Sequence, residues 1–270
     1  MLTKKVPFIF KLLASFLVIM IVLQFVASSQ LAYQVNLSET LQGPSLSHWL
    51  GTDELGRDLF SRVIIGARFT LFVTIMTLCI TVLIGVPLGI LASYFKGVIG
   101  FTVMRIVDIG LSIPEFILML ALASFFKPSI WNLVIAITIV RWMTYTRLTR
   151  TLTNQILERP YIKLAKMYRV PVVKIWFKHV LPQLMPSIIV LMTVDFGKII
   201  LYISSLSFLG LGATPPSPEW GAMLESGRDY MLSDPLLLIV PAVFIMTTIL
   251  LFNLAGDRLR DIVSNEKGES

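Results

Sequence analysis

The sequence predicts an all-α integral membrane protein with six transmembrane helices. Three observations predict it. Hydrophobic residues make up 56% of the 270-residue chain and charged residues 14%, against about 25% charged in an ordinary soluble domain; the mean hydropathy is +0.81. Six apolar stretches are each long enough, or nearly so, for a hydrocarbon core that needs about 20 residues per helix. Lys and Arg gather in alternate loops, so an even number of crossings with both ends inside agrees with the charge rule.

The first span covers residues 6–27. Its basic tip and apolar run resemble a signal peptide, but the run exceeds the 7 to 15 residues of such a segment and is read as an uncleaved helix. Lys4, Lys5 and Lys11 hold its start inside. Residues 28–68 are polar and lie outside. There Gly51 and Gly56 bracket an acidic pair, Arg57 precedes Asp58, and Thr52 or Asp53 is placed to cap a helix starting near Glu54. Two readings stand for this stretch: a capped surface helix leading into span two, or a docking rim for an external partner.

Span two, 69–94, carries Gly85, Pro87 and Gly89; small residues four apart let helix backbones approach closely. Span three, 101–125, has Arg105 and Asp108 on one face, read as an interfacial ion pair, then Pro114 and Glu115. Pro114 is expected to kink or unwind the helix, and broken helices at membrane depth line cavities. Span four, 130–147, follows a turn at Lys127 and Pro128.

Residues 147–186 come next, with eight Lys or Arg and one acid, Glu158. Apolar residues recur at helical spacing on both sides of Pro171, which predicts two short amphipathic helices meeting at Val170 and Pro171. Such a segment either docks another protein from the cytoplasm or lies on the inner leaflet. Span five, 186–206, holds Asp195 and Lys198 three residues apart, a pair able to neutralise one another mid-membrane. An acidic outer loop follows, with a short helix expected near Glu219. Span six, 235–254, is expected to break at Gly256. The organisation is therefore 1–68, a first helix with its external segment; 69–263, a five-helix core that includes 147–186; and 264–270, a cytoplasmic tail.

The net charge of +7 suits inner loops beside anionic lipid and not nucleic acid. The single cysteine, Cys79, excludes an internal disulfide and a thiolate metal cluster. No HExxH, GxSxG or phosphate-binding loop occurs, and the two histidines, His48 and His179, fall on opposite sides of the membrane. An enzyme is excluded on these grounds. A conducting subunit with a separate motor and a self-contained channel or carrier both remain; the docking-like segment favours the first.

Three blocks then carry a resemblance: HWLGTDELGRDLFSRVIIGAR from His48, SFLGLGATPPSPEWGAML from Ser207, and LFNLAGDRLRDI from Leu251. They resemble the second membrane subunit of the peptide/nickel group of ABC importers. The resemblance implies a type I importer permease fold with two short cytoplasmic coupling helices. It also implies a second permease subunit to complete a heterodimer, two cytoplasmic ATPase subunits that hold the ATP and Mg, an extracellular solute-binding protein, and a plasma-membrane location with both termini cytoplasmic.

The family's coupling motif reads Glu-Ala-Ala, three residues, Gly, nine residues, Ile-x-Leu-Pro. Here Lys163, Leu164, Ala165 and Arg169 stand in its first half, and His179, Val180, Leu181 and Pro182 in its second. The resemblance thus implies an ATPase contact through Lys163, Leu164, Ala165, Tyr168, Arg169, Val170, Pro171, His179, Leu181 and Pro182, with Pro171 supplying the break that glycine gives elsewhere. The translocation path is expected to use Asp108, Pro114, Glu115, Asp195 and Lys198. The external rim is expected to offer Asp53, Arg57, Asp58, Glu219 and Trp220 to the binding protein. His48-Trp49 and Val194-Asp195-Phe196-Gly197 are closer to nickel and metallophore members, so the expected cargo is a metal chelate, with di- or oligopeptides as the alternative. The chain offers no His/Cys cluster for a bare ion.

Overall fold

Long apolar runs give the longest helices, three of them continuing through an internal proline, Pro87, Pro186 or Pro241. The computed structural model describes residues 7–95 and 97–268; Lys4, Lys5 and the last two residues of the tail lie outside them. Eleven helices are seen among the described residues: α1 (Phe8–Val26), α2 (Ser29–Tyr33), α3 (Leu59–Tyr94), α4 (Val98–Leu111), α5 (Glu115–Ser124), α6 (Ile130–Leu157), α7 (Pro160–Met167), α8 (Val172–Ile175), α9 (Leu181–Phe208), α10 (Trp220–Gly227) and α11 (Leu236–Gly268). A π-helical turn, Trp176–Val180, joins α8 to α9. Four helical segments are long and apolar enough to cross a membrane, and a fifth is added if the bent pair α4 and α5 counts as one. The fourth expected span, α6, is not among them, because Arg141, Arg147 and Arg150 interrupt it.

The centre of the bundle is the seam between α3 and α6. A Cβ on Gly85 would lie 2.6 Å from Tyr145 Cβ, and one on Gly89 2.6 Å from Thr149 Cβ. Only hydrogen at these two positions lets the backbones come so close. Thr146 Oγ1 donates to Gly85 O at 3.0 Å, and Ser93 Oγ donates across to Arg150 O at 3.1 Å. Further up α3, Thr74, Thr77 and Thr81 are fully buried and return their hydroxyls to carbonyls one turn back, each at 2.8 Å. Polar side chains thus satisfy themselves within an apolar bundle. Helices α9 and α11 close the other side, where Phe196 stacks on Phe252 at 3.8 Å. Helix α1 buries only Met20 and packs on α11 and α3.

Several boundaries differ from expectation. Helix α3 starts at Leu59 with Asp58, not Thr52 or Asp53, as its cap: Asp58 Oδ2 accepts from Ser61 N at 2.8 Å. Span three is two helices at 93°, because Pro114 lacks a donor and starts α5 afresh. Helix α6 runs ten residues past residue 147 to Leu157. Helix α9 begins at Leu181, five residues before the expected start, with Pro186 inside it. Gly256 does not break α11; it lies against Val194 of α9 and serves close packing.

Candidate translocation site and coupling surface

Three ionisable side chains from three helices meet inside the bundle. Arg141 of α6 donates from Nη2 to both oxygens of Asp195 on α9, at 2.5 and 2.6 Å, and from Nη1 to Glu115 Oε2 on α5, at 2.6 Å. Tyr202 of α9 donates to the same Glu115 oxygen at 2.9 Å. Arg141 and Asp195 are 2% and 0% exposed, whereas the Glu115 side chain is 30% exposed. At about 1.5 Å rise per residue, Asp195 lies ~20 Å along α9 from Leu181 and Arg141 ~16 Å along α6 from Ile130, which puts the cluster near the middle of a ~30 Å core. A charged group there is tolerated only when paired or facing an aqueous path. All three meet the first condition, and Glu115 is in addition partly exposed.

This arrangement corrects the expected Asp195 and Lys198 pair. Lys198 is exposed and makes no ion pair among the described residues, while Asp195 reaches across to Arg141. The expected Arg105 and Asp108 pair is likewise replaced: Asp108 bonds Arg147 of α6, and Arg105 sits over the Phe101 ring at 4.8 Å. Pro114 is exposed at the bend that presents Glu115. Arg141 and Tyr202 are functional candidates that the sequence reading missed. The signal for the first was present, an arginine inside the apolar run of α6.

At the inner end, so named for its Lys and Arg, α7 and α8 form one surface. Helix α7 is stopped after its cap Tyr168 by Arg169, which takes φ +54°, with Arg169 N bonded to Lys166 O and Val170 N to Ala165 O. This is the helix stop that glycine normally fills. The break therefore falls at Arg169 rather than at Pro171 as expected, and Pro171 caps α8. Ile162, Ile175 and Val180 point into the bundle, while Lys163, Leu164, Tyr168, Arg169 and Pro171 are exposed and Ala165 and Val170 are half-buried.

Tyr168 is 82% exposed, with Met167, Val173 and Phe177 exposed near it in sequence. Such an apolar face in a basic segment suits a protein groove or the inner leaflet. His179 and Leu181 are half-buried and Pro182 is exposed at the start of α9. Gln183 ties the parts together, donating to His179 O at 2.8 Å and to the Tyr161 hydroxyl. Trp176 lies edge-on to Tyr94 at 5.7 Å, fixing α8 against the end of α3. A cleft of about 880 Å³ opens beside α7, lined by Arg150, Asn154, Glu158, Lys163 and Lys166.

At the outer end, the expected rim residues face inward and brace the segment instead of presenting it. Asp53 accepts from Arg57 Nε at 2.7 Å, from Arg57 N at 2.9 Å and from Arg62 Nε at 3.1 Å. Asp58, the α3 cap, also meets His48 Nδ1 at 3.0 Å. Glu219 caps α10 by accepting from Gly221 N at 2.8 Å and Ala222 N at 2.9 Å. Burial pushes the Glu219 carboxyl above its ordinary value of 4.5, against the opposing pull of those backbone bonds. Trp220 is wholly buried and donates from Nε1 to Val63 O at 2.8 Å. All five expected rim side chains are buried. Trp49, next to His48, is exposed.

A family profile described as the inner membrane component of binding-protein-dependent transport systems matches residues 85–267. The chain is 40% identical over 250 residues to a dipeptide transport system permease protein of Alkalihalophilus pseudofirmus, covering 93% of this chain and 82% of the relative. It is 40% identical to a glutathione transport system permease protein of Pectobacterium atrosepticum, covering 82% and 73%. It is 39% identical to a probable D,D-dipeptide transport system permease protein of Escherichia coli, covering 87% and 78%. A chain of the MetNI methionine ABC transporter, from crystals of its inward-facing conformations, superposes with TM-score 0.58 at 21% identity, covering 74% of this chain and 95% of that one. The fold is that of a type I ABC importer permease.

Proposed function

The chain belongs to the inner membrane components of binding-protein-dependent transport systems, and on that premise we propose that it is one of two permease subunits of an ATP-driven importer of short peptides. It is a multi-pass membrane protein and a permease subunit rather than an enzyme. In the proposed complex a second permease completes the pathway, two cytoplasmic ATPases bind ATP and Mg and grip α7 and α8, and a solute-binding protein delivers cargo to the outer end. Both termini and residues 147–186 are then cytoplasmic, in keeping with their charge.

The cargo reading moves from metal chelates to short peptides. What carries it is that the relatives named above, all near 40% identity over most of this chain, are named for dipeptides, glutathione or D,D-dipeptides. The residues that suggested metal chelates have other duties: His48 is buried against Asp58, Asp195 is held by Arg141, and Phe196 and Gly197 pack on α11. A deletion strain complemented with the wild-type subunit should regain uptake of labelled dialanine and show no change in uptake of nickel–histidine. Restoration of nickel–histidine uptake alone would return the assignment to metal chelates.

A further inference from the structure

We propose that Glu115 is a subsite for the α-ammonium group of a peptide in transit, an inference that rests on the peptide-import reading. One Glu115 oxygen, Oε2, is occupied by Arg141 and Tyr202. The other, Oε1, has no hydrogen-bond partner among the described residues and belongs to a side chain that is partly exposed. Within the cluster, one guanidinium faces two carboxylates, which leaves one negative charge at mid-membrane depth. Arg141 is closed off by its two partners, so the surplus is displayed at Glu115.

The 93° bend at Pro114 is what brings this carboxylate to the start of α5 and into the open. A charge so placed needs a cation, and a peptide carries one at its amino end; an ammonium group supplies three donors to a fixed acceptor.

The surroundings suit the rest of such a ligand. Phe116, the next residue, forms part of the wall of an apolar groove of about 610 Å³ with Leu201, Phe208, Leu224 and Met246. Ser204 lines the same groove, is 4% exposed, and its hydroxyl has no hydrogen-bond partner. A buried hydroxyl without a partner is uncommon in a finished structure. A peptide with its ammonium group at Glu115 would lay its first side chain in the groove, over the buried Ser204 hydroxyl. The motif serves charge recognition without selecting side chains, as a broad peptide importer requires.

The test uses the assembled importer in proteoliposomes, with ATP inside and the binding protein saturated. Two probes are compared: dialanine, and lactyl-alanine, in which a hydroxyl replaces the ammonium group. The wild type should move dialanine about tenfold faster than lactyl-alanine, the effect of one charge-assisted hydrogen bond. Glu115→Gln should bring that ratio close to one, and Glu115→Asp should restore most of it. A ratio unchanged in Glu115→Gln, or subunits that no longer copurify when Glu115 is neutralised, would overturn the proposal and make Glu115 a structural or interfacial residue. A wild-type importer that moves no dialanine would instead refute the peptide reading beneath it.

Discussion

Arg141 shows what a single residue decides in this bundle. It holds Asp195 with two bonds and Glu115 with one, and removing one partner of a buried pair leaves a bare charge, at a loss of about 3–5 kcal/mol. Arg141→Met should therefore lower the melting temperature in detergent sharply, and Asp195→Asn less so, because an amide keeps one acceptor. The double variant Arg141→Met with Asp195→Leu should recover part of the loss, since Asp195 is no longer stranded while Glu115 keeps only Tyr202 as a partner. Equal losses in the single and double variants would mean that Arg141 acts through packing alone. The sequence pointed to Asp195 but to the wrong partner. Helical spacing finds neighbours within one turn and hence Lys198, whereas Arg141 stands 54 positions away and is brought near only by the packing of α6 on α9.

At the scale of elements, legibility followed local chemistry. The GVPLG spacing announced a close crossing, and α3 meets α6 there with no room for a Cβ. Gly89→Leu should drive side-chain atoms into Thr149 and cost about 1–3 kcal/mol, read as a lower detergent melting point, while Leu88→Ala should cost far less. The short helix α10 was also legible, through Glu219 and the prolines before it. Its cap has a pH signature. The Glu219 carboxyl binds its proton more tightly in the folded chain than at the ordinary value of 4.5. Its contribution is thus greatest at and below that pH and declines as pH rises toward the raised value. The stability difference between Glu219→Gln and wild type should shift in favour of the variant from pH 4.5 upward; a difference that stays flat with pH would mean that the carboxyl titrates normally. What the sequence hid was the inward turn of Asp53, Arg57 and Asp58. A run of charges between glycines reads as a solvated rim, yet each of these charges has found a partner within the segment or in α3.

For the whole molecule, the layout separates three tasks along one axis: a braced outer segment, a charged mid-membrane cluster, and an inner surface with an apolar face. The class and the inner surface were readable because hydropathy and charge are bulk properties that survive any particular packing. The mid-membrane cluster needed three helices in place. Coupling between the tasks has a physical route, since Trp176 fixes α8 to α3 and the π turn joins α8 directly to α9, which carries Asp195. Tyr168 stands before the break between α7 and α8, so its displacement reaches α9 only through that turn. Arg169 holds a left-handed φ of +54° in that turn, a conformation glycine would adopt without steric cost. In the assembled importer, Tyr168→Ala should lower peptide uptake per ATP hydrolysed by about tenfold and leave the unfolding free energy of the isolated subunit within about 0.5 kcal/mol of wild type, because the side chain is exposed. Arg169→Gly should retain coupling, since glycine fits the same backbone angles. Loss of coupling in Arg169→Gly with coupling retained in Tyr168→Ala would move the grip from the apolar face to the arginine itself.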